Sequence, residues 1–283
     1  LVWLGTTGLE LGAIGLFWYT FRERDAILDL FEMVTGVRMH TRYFQAGGLA
    51  EDIPPGFAEE CLKLVGRMPA AVDEYEALLD RNQIWLERTK NIGLLSADDA
   101  IALGQSGPML RASGVDWDLR RDQPDLVYDK LDFEIPVYEG CDVYDRYRVH
   151  MDEMRESARI VRQCVEGMPD GPWISDDRKV VLPPRNELHT SMESLIHHFK
   201  QIMFGHGILP ERGREVYSAT ESPNGELGFY MVSDGEMNPY KTRVRPPSIF
   251  HFAMLPQLVE GLMISDAVAV LATLNVIAGE LDR

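Results

Sequence analysis

The sequence predicts a mainly α fold carrying one small β element. Apolar residues recur at spacings of three and four along most of the chain, prolines and glycines punctuate those runs, and only the stretch near 215–245 alternates like strands. One mostly helical domain over 1–283 is the expected organisation. Leu1 to Phe21 reads as a buried helix, with Glu10 the acid that interrupts an otherwise uncharged Leu4 to Phe21. Phe57, Cys61, Leu64 and Met68 form a stripe up to Pro69, and Val72, Tyr75, Leu78 and Leu79 continue it beyond an expected kink, as an antiparallel pair or bundle. Tyr144, Met151, Met154, Ala158, Val161, Val165 and Met168 mark a long helix stopped at Pro169. Met192, Leu195, Ile196, Phe199, Ile202 and Met203 give a further helix, one face of which is expected to be core. Ser222-Pro223-Asn224-Gly225 is turn chemistry between two strand-like runs, so a β-hairpin is expected over 215–233.

A chain of 283 residues, 45% of them hydrophobic, can bury a sizeable core. Its formal net charge of -17 repels phosphate backbones, so nucleic acid is not an expected partner. Cys61, Cys141 and Cys164 are far apart, which argues against a disulfide framework or a self-contained metal or iron–sulfur site. The first residue is Leu1, the opening run lacks a secretory pattern, and the N-terminus reads as incomplete. The apolar stretches Leu1 to Phe21 and Leu258 to Gly279 hold internal acids (Glu10; Glu260 and Asp266). Each would cost about 2.5–3.5 kcal/mol in mid-membrane, so both are expected to be buried helices rather than spans.

Several clusters have a bland reading beside a functional one. His189, His197, His198 and His206 surround one helix, but adjacent imidazoles diverge by about 100° and no carboxylate or cysteine completes a ligand spacing, so a polar helix face is preferred to a metal site. Phe21 to Asp25 reads as a solvated, salt-bridged helix start. Asp116 to Arg121 suits a surface loop or an interface equally. A carboxylate within an apolar run, such as Glu10, must be paired, protonated or facing a wet cavity. Helical spacing puts Val2, Thr6 and Glu10 on one face.

Taken in order, Leu9 to Ala13 (LELGA), Phe21 to Arg24 (FRER), Gly36 to His40 (GVRMH), Gly47-Gly48 with Asp52-Ile53-Pro54, Gly107 to Leu119 (GPMLRASGVDWDL), Cys141 to Tyr147 (CDVYDRY), Ser191 to Lys200 (SMESLIHHFK), Ser233-Asp234-Gly235 and Gly279 to Arg283 (GELDR) resemble the D-type subunit family of respiratory complex I, the proton-pumping NADH:quinone oxidoreductase. The resemblance covers essentially the whole chain. It implies a fold related to the large subunit of nickel–iron hydrogenases, without the C-terminal cysteine pair that holds metal there. It implies a quinone as substrate, with no cofactor on this chain alone. Electrons would come from a [4Fe–4S] cluster in a partner, the B-type iron–sulfur subunit, and NADH would bind elsewhere in the complex. The C-type subunit and membrane-arm subunits are further implied partners. The implied location is peripheral, on the cytoplasmic face of a bacterial inner membrane.

Residue by residue, the resemblance makes Glu10 the partner of a proton-donating histidine upstream of Leu1, and His40 an imidazole beside the cluster. Val2, Thr6, Phe17 and Phe21 would line the quinone path, Ile277 and Ala278 its rim, and Glu280, Asp282 and Arg283 its polar end. Asn224 and Asn275 stand where many relatives carry a lysine and an aspartate. With tyrosine and histidine contacts belonging upstream, the chain alone is expected to be catalytically silent. A related non-NADH quinone or ferredoxin oxidoreductase, or an assembly scaffold, are the competing readings.

Overall fold

The computed structural model describes residues 1–204 and 209–282; the sequence candidates His206 and Arg283 lie outside them. The structure corrects the expectation of a buried helix over Leu1 to Phe21: the chain opens as a hairpin of two helices, α1 (Val2–Glu10) and α2 (Ile14–Thr35), with Glu10 exposed where α1 ends, turning at Gly12 with φ +87°, a conformation glycine adopts without strain. The two helices approach closely because glycines face the contact. A Cβ on Gly5 would stand 2.5 Å from Thr20 Oγ1, and one on Gly8 2.7 Å from Leu16 Cδ2.

A minimal ribbon, β1 (Phe44–Gln45) with β2 (Gly48–Leu49), leads to α3 (Phe57–Leu79). Here the structure corrects the sequence reading: one helix, rather than a pair, runs through Pro69. Pro69 is exposed, while Met68, Ala71 and Val72 on either side are buried and hold the helix together across the missing N–H. The short helices α4 (Gln83–Thr89), α5 (Ala97–Ala102), α6 (Pro108–Arg111) and α7 (Leu119–Asp122) then lead to α8 (Val143–Glu166). The Asp142 side chain caps α8 by accepting the Asp145 N–H at 2.8 Å. α8 lies antiparallel to α3: Cys61, Leu64, Val65 and Met68 meet Ala158, whereas Ala71 to Leu79 meet Met151 and Tyr147.

α9 (Met192–Phe204) follows, and its apolar stripe faces outward, not into a core: Met192 is 73% exposed and Phe199 55%. The reason is what holds it. Its attachments are polar and lie on the other side, Gln201 donating to the carbonyls of Arg178 and Val181 and Ser194 to Glu187, and among the described residues no second layer covers the stripe.

The hairpin forms as the turn chemistry requires, β3 (Glu215–Ser222) pairing with β4 (Gly225–Val232) in the register Ser222↔Gly225, and β5 (Lys241–Arg245) adds a third antiparallel strand. Its turn is pressed onto the residue before α6: a Cβ on Gly107 would meet Gly225 Cα at 2.4 Å. α10 (Pro247–Ala253), α11 (Leu255–Val259), α12 (Ile264–Thr273) and α13 (Ala278–Leu281) close the chain. Met254, Leu258, Val270 and Leu274 pack with Met109, Leu110 and Val143 in a further core cluster. Among the described residues, no helix is long and apolar enough to cross a membrane.

Helix propensity alone favours alanine over glycine by about 1 kcal/mol. At Gly5 the overlap with Thr20 Oγ1 outweighs it. Gly5→Ala is expected to lower stability by about 1–3 kcal/mol in denaturant titrations, and Thr20→Ala in the same chain to restore most of the loss.

Candidate functional site

Two cavities meet at Trp3 and Asn275. The outer one, about 400 Å3, is lined by Trp3, Thr6, Thr7 and Glu10 of α1, Val268, Leu271 and Ala272 of α12, and Asn275 and Val276 beyond it. α1 is pinned to α12 by Trp3 Nε1, which donates to Ala272 O at 2.8 Å; Thr7 Oγ1 reaches the same carbonyl at 3.5 Å. Glu10 and Thr6 lie on the exposed face of α1. The Thr6 hydroxyl turns back on its own helix, 3.0 Å from the Val2 and Trp3 carbonyls.

Asn275 takes φ +48°, in the left-handed region that asparagine tolerates. Its side chain donates to Asn224 Oδ1, and Asn224 Nδ2 donates back to the Asn275 carbonyl at 3.2 Å. This pair of amide hydrogen bonds ties the hairpin turn to the C-terminal segment. Beyond it, Ser248 on α10 donates to Glu280 and accepts the Ile277 N–H at 3.1 Å, which clamps α13. His251 sits beneath, its Nδ1 3.1 Å from the Leu274 carbonyl. Burial is the main cause holding its imidazole down to about 4, so it is neutral, and Nδ1 carries the hydrogen.

The inner cavity, about 350 Å3, is lined by Arg111, Arg120, Tyr128, His150, Glu153 and Glu221, with Leu1, Trp3 and Asn275 on the side of the outer one. Arg111 is 1% exposed and donates to Glu153 at 2.5 Å, to Glu221 at 3.1 Å and to the Trp117 carbonyl at 3.2 Å, with Asp118 Oδ2 at 3.1 Å. Burial pushes the Glu153 and Glu221 carboxyls above the usual carboxylate range, with Arg111 opposing. Asp118 is pushed up by burial too, but the Arg120 hydrogen bonds and the charges of Arg111 and Arg120 prevail and hold it low.

The structure therefore brings Thr6 and Glu10 together with Asn275 and Val276. Val2 is exposed on the same helix; Phe17 and Phe21 stack at 4.0 Å on α2 beside α1, half-buried. Ile277, Ala278 and Glu280 come after Val276 in the chain and line neither cavity: Ile277 and Ala278 are exposed, Glu280 is engaged by Ser248, and Asp282 is exposed. His40 is exposed at the far end of α2, roughly 30 Å along a helix of 22 residues, next to Arg38, which bridges Asp25, Asp29 and Glu32. Among the described residues no group of three or more His, Cys, Asp or Glu could hold a metal ion. Sequence reasoning missed Trp3, Val268 and Leu271, and it missed the Arg111 cluster altogether. The available signal was His150 and Glu153 lying at helical spacing inside the apolar stripe of α8. Asp118, in the segment weighed evenly between surface loop and interface, is buried within the chain.

His251 sets a pH dependence. Its folded pKa, about 4, lies below the value of about 6.5 expected unfolded, so the unfolded chain binds more protons between them. Stability is expected to fall as pH drops from about 6.5 to 4, by on the order of 3 kcal/mol from this group. His251→Gln should flatten that part of the curve in denaturant titrations at stepped pH.

Comparison with known proteins bears on this geometry. A family model described as the 49 kDa subunit of the respiratory-chain NADH dehydrogenase matches residues 10–283. The chain is 47% identical over 283 residues to the D-type subunit of the NADH-quinone oxidoreductase of Geotalea uraniireducens, spanning all of this chain and 72% of that one. It is 48% identical to the corresponding protein of Citrifermentans bemidjiense, and 45% identical to that of Geobacter sulfurreducens, over the same spans.

Proposed function

The chain belongs to the family of the 49 kDa subunit of respiratory-chain NADH dehydrogenase, and from that premise we propose that it builds one wall of the cavity in which a quinone is reduced. The observation that carries the reading is the convergence of Thr6 and Glu10 with Asn275 and Val276 on one cavity. A quinone needs apolar walls for its tail and a few polar groups at its headgroup. Trp3, Val268, Leu271, Ala272 and Val276 supply the first, and Thr6, Thr7, Glu10 and Asn275 the second.

Reduction to quinol takes two electrons and two protons. Glu10 presents its carboxyl at the mouth, bordering both solvent and cavity, where it holds and orients the proton-donating histidine of the segment upstream of Leu1. Val2, Phe17 and Phe21 extend the apolar path from α1 onto α2. Ile277, Ala278 and Glu280 form the rim at the C-terminal end, which Ser248 fixes in place. His40, at the other end of α2, faces the electron donor. That donor is a [4Fe–4S] cluster of the B-type iron–sulfur subunit; NADH enters elsewhere in the complex, and the C-type subunit and the membrane arm are further neighbours. These roles rest on the resemblance of the motifs. Electron transfer in the assembled complex, on the cytoplasmic face of a bacterial inner membrane, then drives proton translocation.

A purely scaffolding role is the second reading, favoured by the outward apolar stripe of α9. Turnover separates the two. In the complex assembled with full-length protein, Val268→Trp is expected to raise the KM for a short-chain ubiquinone about tenfold, and Glu10→Gln to lower kcat on the order of 100-fold, with assembly and cluster reduction intact. Unchanged quinone kinetics in both would leave only the scaffold.

A further inference from the structure

A groove of about 510 Å3 runs between α2, α3 and α8, with Leu1 at one end. Ile27, Phe31 and Val34 of α2, Leu64 of α3 and Ala158 of α8 are among its walls. No charged side chain lines it, although 26% of the chain is charged. Phe31 is 47% exposed, and Val161 on the α8 side 38%. An uncharged face of that size, framed by three helices, is built to be covered by something apolar.

The helical hairpin says what fits. α1 and α2 run antiparallel, Gly5 against Thr20 and Gly8 against Leu16, so each step back along α1 is a step forward along α2. α2 has 22 residues and α1 nine, and beyond Arg24 no helix of the hairpin lies beside α2. In that stretch the groove-facing Ile27, Phe31 and Val34 recur at spacings of four and three, the pattern of a face that meets another helix. Continuing α1 back from Leu1 at the same helical period brings the residues four, seven and eleven places before Leu1 to within about 40° of Leu1 itself. The antiparallel register sets those three opposite Ile27, Phe31 and Val34. Leu1 already packs against the core cluster of Leu64 and Ala158 at the groove's end. The dozen or so residues needed to match α2 are within reach, because the relatives exceed this chain by more than a quarter of their own length.

We propose that the groove seats the segment directly upstream of Leu1 in the full-length protein, which continues α1 as a single helix along α2 and makes a four-helix bundle with α2, α3 and α8. The inference stands apart from the quinone reading. It places a requirement on sequence: the residues four, seven and eleven before Leu1 are apolar. It also braces α1 from behind, so that Trp3, Thr6 and Glu10 reach the outer cavity from a long, packed helix.

The test uses the full-length protein in the assembled complex, with the photo-crosslinking residue benzoylphenylalanine replacing Phe31 in one preparation and Val34 in another, and the adducts mapped by mass spectrometry. Both are expected to link within the same chain, the first about seven residues before Leu1 and the second about eleven, a shift of one helical turn. Adducts on another subunit, on a second copy, on lipid or quinone, or on a part of the chain more than about 15 residues upstream of Leu1 overturn the proposal, as does the absence of any intrachain adduct. Amide hydrogen exchange in the unmodified complex makes the check without substitution. The dozen or so residues before Leu1 are expected to exchange as slowly as Val2–Thr7, at least about 100-fold slower than an unstructured segment. Exchange there at the unstructured rate overturns the proposal whatever the adducts.

Discussion

The Arg111 guanidinium is the contact on which the rest of the structure depends. From α6 it reaches Glu153 on α8, Glu221 on β3 and Asp118 at the start of α7, so one side chain joins the long helices to the sheet. Removing one partner from such a buried group typically costs about 3–5 kcal/mol, because the others are left uncompensated. Replacing the whole set by apolar residues would cost far less. The fold thus keeps a charged junction where packing alone would serve. The same junction sets the hairpin turn against Gly107 and so positions Asn224 to grip Asn275.

From that junction the candidate site follows by packing. α12 is held to α1 through Trp3 and Thr7, and the glycines of α1 let α2 close behind it. The outer face of α1 is left free, and Thr6 and Glu10 project from it beside the C-terminal segment. Ser248, Glu280 and His251 fix where that segment turns. Binding walls come from apolar packing between helices, and the polar groups come from helix faces that packing did not consume.

Much of the fold was legible because it is written in short-range signals. The stripe of α8 and the Pro-Asn-Gly turn each specify their element locally, and the shared face of Val2, Thr6 and Glu10 follows from helical spacing. Where local signals failed, a longer-range term decided. Pro69 announces a break, but buried neighbours on both sides carry α3 through it. The stripe of α9 looks like core, yet none of the described residues folds over it. The Arg111 cluster was invisible since its members are up to 110 positions apart; no spacing rule connects them until the sheet docks. Glu10 was singled out as an acid in an apolar run; the structure places it exposed at the end of α1, where it borders a cavity with Asn275.

The most direct test of the central claim is photoaffinity labelling of the assembled complex with an azidoquinone, followed by mapping of the labelled peptides. The account expects label on α1 within Val2–Glu10 and on 268–276, displaced by excess short-chain ubiquinone. Label that is displaced by the same quinone yet falls wholly outside these two segments would contradict it.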